Sequence, residues 1–408
     1  MTDSFADITA LRNTFPGLDE TVDNQPFVYL DSAATTQKHE SVIERMDYFL
    51  RHEYGTVHRG LYRRSAHSTA AYEAARERIA RFFGADSNEI VYTMGCTDAI
   101  NLVAWSWGRA NLGPGDRILV STMEHHANIV PWQLIGEITG CELIACPIDD
   151  HGDIDQEAFH NLLDERVKLV SLIHVSNALG TINPVAELTR AAHGIGARVL
   201  IDAAQSSPHM PIDVKALDCD FLTVSAHKCY GPTGIGILYG KAEVLADMPP
   251  WRGGGEMIDT VSFAGTTYAD APSRFEAGTP PIVEAIGFAS ACDFLDSIGM
   301  EAIAAREHHL YSYAEDLLDQ IPSIRRIGRA RQRSTALSFV MDGAHAADIA
   351  QILDAQNVAI RAGHHCAQPT MQRYGISATA RISLGVYTSH DDLDRAATAL
   401  RKAAELFS

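Results

Sequence analysis

Between about residues 85 and 240 the chain alternates short apolar runs with segments of helical period, and this alternation most constrains the fold. The runs are 89–93, 117–122, 168–175, 198–202, 220–224 and 236–239. Helix-period segments at 98–109, 155–164 and 185–193 lie between several of them, and another at 67–83 precedes the first. Apolar runs without polar alternation read as strands buried on both faces. Parallel strands need long crossovers, which the helical segments supply. The pattern predicts an α/β fold whose mainly parallel sheet is covered by helices on both faces. Beyond about residue 290 the texture changes to long helical patterns (292–321, 346–356, 391–407) around short strands near 334–340 and 358–360. We therefore expect a large domain over 24–290 and a smaller α+β domain over 291–408, with 1–23 packing on the latter.

The residues just after each run carry the functional signal. Gly95-Cys96-Thr97-Asp98 comes after the first and opens a helix, and Met123-Glu124-His125-His126-Ala127-Asn128 comes after the second. Ser176-Asn177 succeeds the third, Asp202-Ala203-Ala204-Gln205 ends the fourth, and Ser225-Ala226-His227-Lys228 ends the fifth. Polar and titratable groups thus gather at the carboxyl ends of successive strands, where open α/β sheets bind ligands. Lys228 stands at the mouth of the apolar stretch Phe221-Leu222-Thr223-Val224 and is followed by Gly231, Gly234 and Gly236. Partial burial lowers a lysine's pKa and makes its amine a nucleophile toward a carbonyl, hence a Schiff-base lysine. Alone it reads equally as a strand-end lysine reaching water. Asp202 alone reads as a structural cap or an ion-pair partner. The helix start at Gly95-Cys96-Thr97 offers backbone N–H groups and a hydroxyl to a phosphate, with Ser225 and His227 as further donors. A lone buried Asp202 carboxylate needs a cation, which a protonated pyridine nitrogen supplies. Phosphate site, lysine and carboxylate together point to pyridoxal 5′-phosphate.

Seven separated motifs carry a family resemblance: Tyr29-Leu30-Asp31-Ser32-Ala33-Ala34, Val57-His58-Arg59-Gly60, the run from Met123 to Trp132, His174-Val175-Ser176-Asn177, the Lys228 segment, the run from Arg274 to Pro280, and Arg361-Ala362-Gly363-His364-His365-Cys366-Ala367. Over residues 27–408 the chain resembles the SufS-type cysteine desulfurases, class V aminotransferase-fold enzymes that include selenocysteine lyase-like members. The resemblance implies the fold-type-I aminotransferase architecture, with a seven-stranded sheet in the large domain. It implies that Lys228 carries the cofactor and moves protons, that Asp202 holds the ring nitrogen and Gln205 the ring hydroxylate, and that Asn177 contacts the ring. His125 would stack on the ring face and serve as an acid or base. Thr97, Ser225 and His227 would bind the phosphate, and Thr279 would reach it from the second subunit of a homodimer.

At the sulfur-handling end, either Arg361 or Arg381 could grip an amino acid's carboxylate in bidentate fashion, and the family pattern favours Arg381. Cys366 matches the family's sulfur-accepting cysteine, with His364, His365 and Arg361 as neighbours able to stabilise a thiolate. The implied reaction converts L-cysteine to L-alanine and leaves a persulfide on Cys366, for iron–sulfur cluster assembly. The alternative within the same chemistry is a selenocysteine lyase. The short Cys366 setting is similar to members that need a sulfur-acceptor protein. Ala347, where the branch serving a zinc-bearing SufU-like scaffold carries His, favours a SufE-like acceptor. Cys96 and Cys229 read as packing residues, and Ala226 as a tolerated replacement for Gly if its φ is negative.

Composition excludes other classes. The formal charge of −19, without a long basic run, disfavours nucleic acid as a direct partner. No apolar stretch approaches the ~18 residues of a membrane span. Met1 to Asp7 shows no secretion signal. Seven cysteines without C-x-x-C spacing suit a reducing cytoplasm better than a disulfide framework. Glu124-His125-His126 and His364-His365-Cys366 raise a metal-binding hydrolase as a rival, but no His-Glu-x-x-His is present and no metal is expected. Glu307-His308-His309 falls in a helical pattern and reads as a polar face.

Overall fold

The computed structural model describes residues 8–22 and 25–407. Seven strands form the central sheet: β1 (Ile90–Thr93), β2 (Arg117–Ser121), β3 (Glu142–Cys146), β4 (Val167–Ile173), β5 (Arg198–Asp202), β6 (Phe221–Ser225) and β7 (Gly236–Gly240). Their spatial order is β1-β7-β6-β5-β4-β2-β3. Only β7 runs antiparallel to its neighbours. Successive residues of these strands feed opposite cores. Val170, Val199, Ile201, Leu222 and Ile237 join one cluster, while Leu169, Leu200, Phe221 and Leu238 join the other. Helices α1 (Arg63–Phe82) and α4 (Ile282–Ile298) cover the first face through Ile79 and Phe288. Helices α2 (Cys96–Val103) and α3 (Val130–Thr139) cover the second through Ile100 and Trp132. Burial on both faces is why the strands read as unbroken apolar runs.

The strand the sequence pattern did not reveal is β3. It lies at the sheet edge with a half-exposed face, and its short apolar run Leu143-Ile144-Ala145-Cys146 has no period that separates a strand from a buried helix segment and no polar site residue directly after it. The helical pattern over 292–321 resolves into α4 and α5 (Met300–Asp319), broken at Gly299, whose φ of 94° suits glycine. A division at residue 290 falls inside α4, whose Cys292 and Leu295 still belong to the large-domain core. Ile303 does too, whereas Leu310 joins the small-domain core, so we place the division within α5.

The small domain carries an antiparallel sheet of β8 (Ile324–Ile327), β9 (Ala336–Met341), β10 (Arg361–Gly363) and β11 (Thr379–Ser383), ordered β8-β9-β11-β10. Val358–Ala359 stands outside it and pairs in parallel with Val28–Tyr29. Val28 and Leu30 accordingly pack in the small-domain core. The described N-terminal residues sit on the seam between domains. Arg12 bonds to Asp392 at 3.0 Å and to the Phe27 carbonyl at 2.6 Å, while the Phe15 ring meets Tyr387 and Phe294. Residues 1–7, 23 and 24, including the stretch read for a secretion signal, lie outside the described residues. Glu307 corrects an expectation: far from lying on a polar face, it is 3% exposed and pairs with buried His209 at 2.9 Å. Among the described residues no helix is long and apolar enough to cross a membrane.

Candidate active site

The loops leaving β1, β2, β4, β5 and β6 converge, as their polar ends predicted, on a cavity of about 210 Å³ that the small domain closes from the other side. The large domain supplies Thr97, His125, Asn177, Asp202, Gln205, Ser225, His227 and Lys228; the small domain supplies Arg361, His365, Cys366 and Arg381. Of the predicted site residues only Thr279 lies elsewhere, exposed in a separate cleft beside Tyr92 and Arg252.

Lys228 sits in a tight turn after β6, and burial drives its amine's pKa down while nearby Asp202 pulls it up. The turn is pinned from beneath: the His227 carbonyl accepts from Thr36 N, the Thr35 and Thr36 hydroxyls, and Lys38 Nζ at 2.9 Å. Ala226 lies in this turn and is not among the positive-φ residues, so it is tolerated where glycine could stand. Asp202 is 2% exposed and accepts from Ala204 N at 2.9 Å. Burial pushes its carboxyl up, against that hydrogen bond and the pull of Lys228. Cys96 N donates to Ser225 Oγ at 2.9 Å at the start of α2, leaving the Ser225 hydroxyl proton for another acceptor. Helix α2 has no N-cap side chain, so first-turn N–H groups beyond that of Cys96 are left for a ligand. Cys96 and Cys229 are both buried, and Cys96 also lines the cavity.

His125 Nδ1 accepts from Ala127 N at 3.1 Å, so the ring's proton sits on Nε2. Burial and then the positive charge of Lys228 hold its pKa at about 3, and similar causes hold His227 at about 4. Both are neutral near pH 7. Gln205 Nε2 donates to the Ala33 carbonyl at 2.6 Å, with a second N–H to spare.

Across the cavity, Arg381 is 2% exposed and donates to Asp31 Oδ1 and to the Asn177 carbonyl, both at 2.9 Å. Its Nε and the Oδ1 of Asn177 are buried without a partner. Arg361 is half exposed, its guanidinium 3.7 Å from the other Asp31 oxygen. Asn177 Nδ2 donates to the His365 carbonyl at 2.6 Å, tying the domains together at the site. Burial holds His365 at about 3, so this histidine is neutral. The permanent positive charge lining the cavity with Cys366 therefore comes from Arg361 and Arg381. Sequence reasoning assigned no role to Asp31, which orients both arginines. Its signals were its place in the motif Tyr29-Leu30-Asp31-Ser32-Ala33-Ala34 and a carboxylate ending the apolar stretch Val28-Tyr29-Leu30.

Residues 28–396 match the aminotransferase class-V family model. The chain belongs to that family. It is 48% identical over 401 residues to the cysteine desulfurase of Dickeya dadantii, covering 98% of this chain and 97% of that protein. It is also 48% identical over 397 residues to the cysteine desulfurase of Synechococcus elongatus, covering 97% of this chain but spanning only 63% of that relative's length. Among solved structures, a cysteine desulfurase from Escherichia coli superposes with a TM-score of 0.91 at 39% identity, over 99% of this chain and all of the other.

The cofactor of this class V fold is pyridoxal 5′-phosphate, and the cavity fits it. Asp202, buried with no cation hydrogen-bonded to it, suits a pyridinium nitrogen. The uncapped α2 N-terminus with Thr97, Ser225 and His227 suits a phosphate. Lys228 offers an amine that suits its aldehyde. The unpartnered Asn177 Oδ1 and the spare N–H of Gln205 are polar groups awaiting ring substituents. No group of three or more His, Cys, Asp or Glu able to hold a metal ion occurs among the described residues.

Proposed function

We propose that this chain is a pyridoxal-phosphate-dependent cysteine desulfurase that converts L-cysteine to L-alanine and keeps the sulfur as a persulfide on Cys366. One observation carries the proposal: a thiol from the small domain lines the same cavity as Lys228, Asp202 and a buried, partly unpaired arginine. When bound, the cofactor would supply an electron sink conjugated with the substrate's α-carbon through its amino nitrogen. Arg381, preoriented by Asp31, receives the substrate carboxylate with its unpaired Nε, and Arg361 adds a second charge beside it. Lys228 is suited by its lowered pKa to take and return the proton at the α-carbon. Neutral His125 presents an Nε2–H donor over the same space. The Cys366 thiolate attacks the substrate sulfur, forming the S–S bond as the carbon–sulfur bond breaks. The bonding pair stays with the three-carbon fragment, which takes up a proton and leaves as alanine. L-cysteine and the enzyme thiol thus become L-alanine and the enzyme persulfide, and no outside oxidant is required.

The assembly is part of the same reading. Thr279 is exposed in a cleft away from the cavity, which supports a homodimer in which one copy's Thr279 completes the other's phosphate site. The persulfide passes to a SufE-like acceptor protein in the cytoplasm, feeding iron–sulfur cluster assembly. The test is alanine release from L-cysteine, with a reducing thiol, by wild type and by Cys366→Ala. Loss of alanine with cofactor absorbance retained supports the desulfurase. Equal activity in both proteins refutes the persulfide and leaves a selenocysteine lyase, whose weaker carbon–selenium bond needs no nucleophile.

A further inference from the structure

The loop between β10 and the helix Gln368–Arg373 places two consecutive non-glycine residues, His365 and Cys366, at positive φ (53° and 55°). L-residues adopt the left-handed region reluctantly, and they remain there only where surrounding contacts over-determine them. The large domain's His126 grips this loop at two points just past the cysteine side chain. Its backbone N–H donates to the Cys366 carbonyl at 2.7 Å, and its Nε2 accepts from the backbone N–H of Gln368 at 3.1 Å. That second donor opens a short helix and has no carbonyl of its own helix to reach. Because Nε2 accepts, the His126 proton lies on Nδ1. On the far side His364 Nδ1 accepts from Cys366 N at 3.1 Å, and its ring lies 5.5 Å from that of His126.

We propose that His126 is the positioning residue for Cys366: its imidazole, acting as an acceptor, fixes the loop so that the thiol meets the substrate sulfur. The proposal rests on the desulfurase reading. It separates the tasks of two adjacent histidines, with His125 turned to the cofactor cavity and His126 to the loop that carries the nucleophile. A role limited to positioning predicts a defect confined to the sulfur-transfer step. The backbone contact survives substitution by alanine or glutamine, so the variants report the side chain, and glutamine separates its acceptor role from its ring contact with His364. Glutamine can place Oε1 near the position of Nε2 and accept the same N–H, whereas alanine cannot.

The holoenzyme is compared with His126→Ala and His126→Gln by three measurements. These are kcat and KM for alanine formation, the substrate-induced change in cofactor absorbance, and the alkylation rate of Cys366 by iodoacetamide located by mass spectrometry. The other six cysteines are buried, which favours selective labelling. For the alanine variant we expect kcat to fall roughly tenfold, the scale of one hydrogen bond, with KM and the absorbance change as in wild type. Its Cys366 alkylation rate should change severalfold, and glutamine should restore both values. Wild-type kcat and alkylation in the alanine variant would overturn the proposal. So would a glutamine variant as defective as alanine, or loss of the absorbance change together with kcat. Cys366→Ala run alongside tests the desulfurase reading separately, because alkylation reports loop geometry whatever reaction the site performs.

Discussion

Glu124 gives the sharpest quantitative test of the site's electrostatics. It is wholly buried after β2, accepting from the Ser121 hydroxyl and, at 2.7 Å, from Asn128 Nδ2. Burial raises its pKa from the ordinary 4.5 to about 7; the hydrogen bonds oppose the rise and the Asp202 charge adds to it. Between those two values the folded protein holds a proton that the unfolded chain has lost. The folded state therefore binds more protons, and stability must fall as pH rises through the window. At ~1.4 kcal/mol per pH unit, the loss from about pH 5 to about pH 8 is roughly 2–3 kcal/mol. Glu124→Gln cannot titrate. Any change in its own hydrogen bonding is a pH-independent offset, since its Oε1 can accept from Asn128 Nδ2 and its amide N–H can donate to the rotatable Ser121 hydroxyl. Urea unfolding of both cofactor-free proteins across this range should show the wild-type advantage shrinking by that amount as pH rises. Parallel curves would refute the inference that Glu124 holds a proton near neutrality.

The other expectations concern charge and carboxylate recognition. Arg381→Lys replaces two fixed donors, one to Asp31 and one to Asn177, by a single ammonium. KM for L-cysteine should rise roughly ten- to a hundredfold with cofactor absorbance unchanged; an unchanged KM would remove Arg381 from substrate binding. Buried His174 and His365 have pKa values lowered to about 4 and about 3, chiefly by burial. Their stabilising effect is complete above pH ~6.5 and is lost as pH falls toward those values, by roughly 2 kcal/mol each by about pH 5. In Glu124→Gln, where one of the raised carboxyls that oppose this trend is gone while Asp202 and Glu307 remain, unfolding free energy should therefore drop below pH ~6 more steeply than in wild type. A flat profile there would mean that these rings take up protons without cost.

Much of the site was legible because strand ends announce themselves. An apolar run followed by Asp202, Lys228 or Asn177 must place that polar group at the sheet's carboxyl edge, whatever the details of packing. Edge strand β3 escaped because its short apolar run, Leu143 to Cys146, is followed by Pro147 and Ile148 rather than by a polar site residue. Asp31 and Glu307 escaped for another reason: each is defined by a partner hundreds or nearly a hundred residues away, Arg381 and His209 respectively. No local pattern encodes such a pairing. The division expected near residue 290 falls within helix α4, whose apolar spacing does not change there, and tertiary packing is what assigns each turn to a core.

The segment after β2 shows how a few residues can bind the two halves of the site into one unit. Glu124, His125 and His126 are consecutive, yet they reach the buried network, the cofactor cavity and the cysteine loop. A strand would send alternate side chains to the same face. Here the chain leaves β2 through an extended His125 and a tight turn at His126–Asn128, so neighbouring side chains diverge. The divergence has to be held in place, and Asn128 holds it: it donates to Glu124 while its Oδ1 accepts from Trp132 Nε1 at 2.9 Å and from the Ser171 hydroxyl. The cofactor-facing and the sulfur-facing histidine thus share one buried anchor. Loosening that anchor should disturb both histidines, whereas truncating either ring should disturb one.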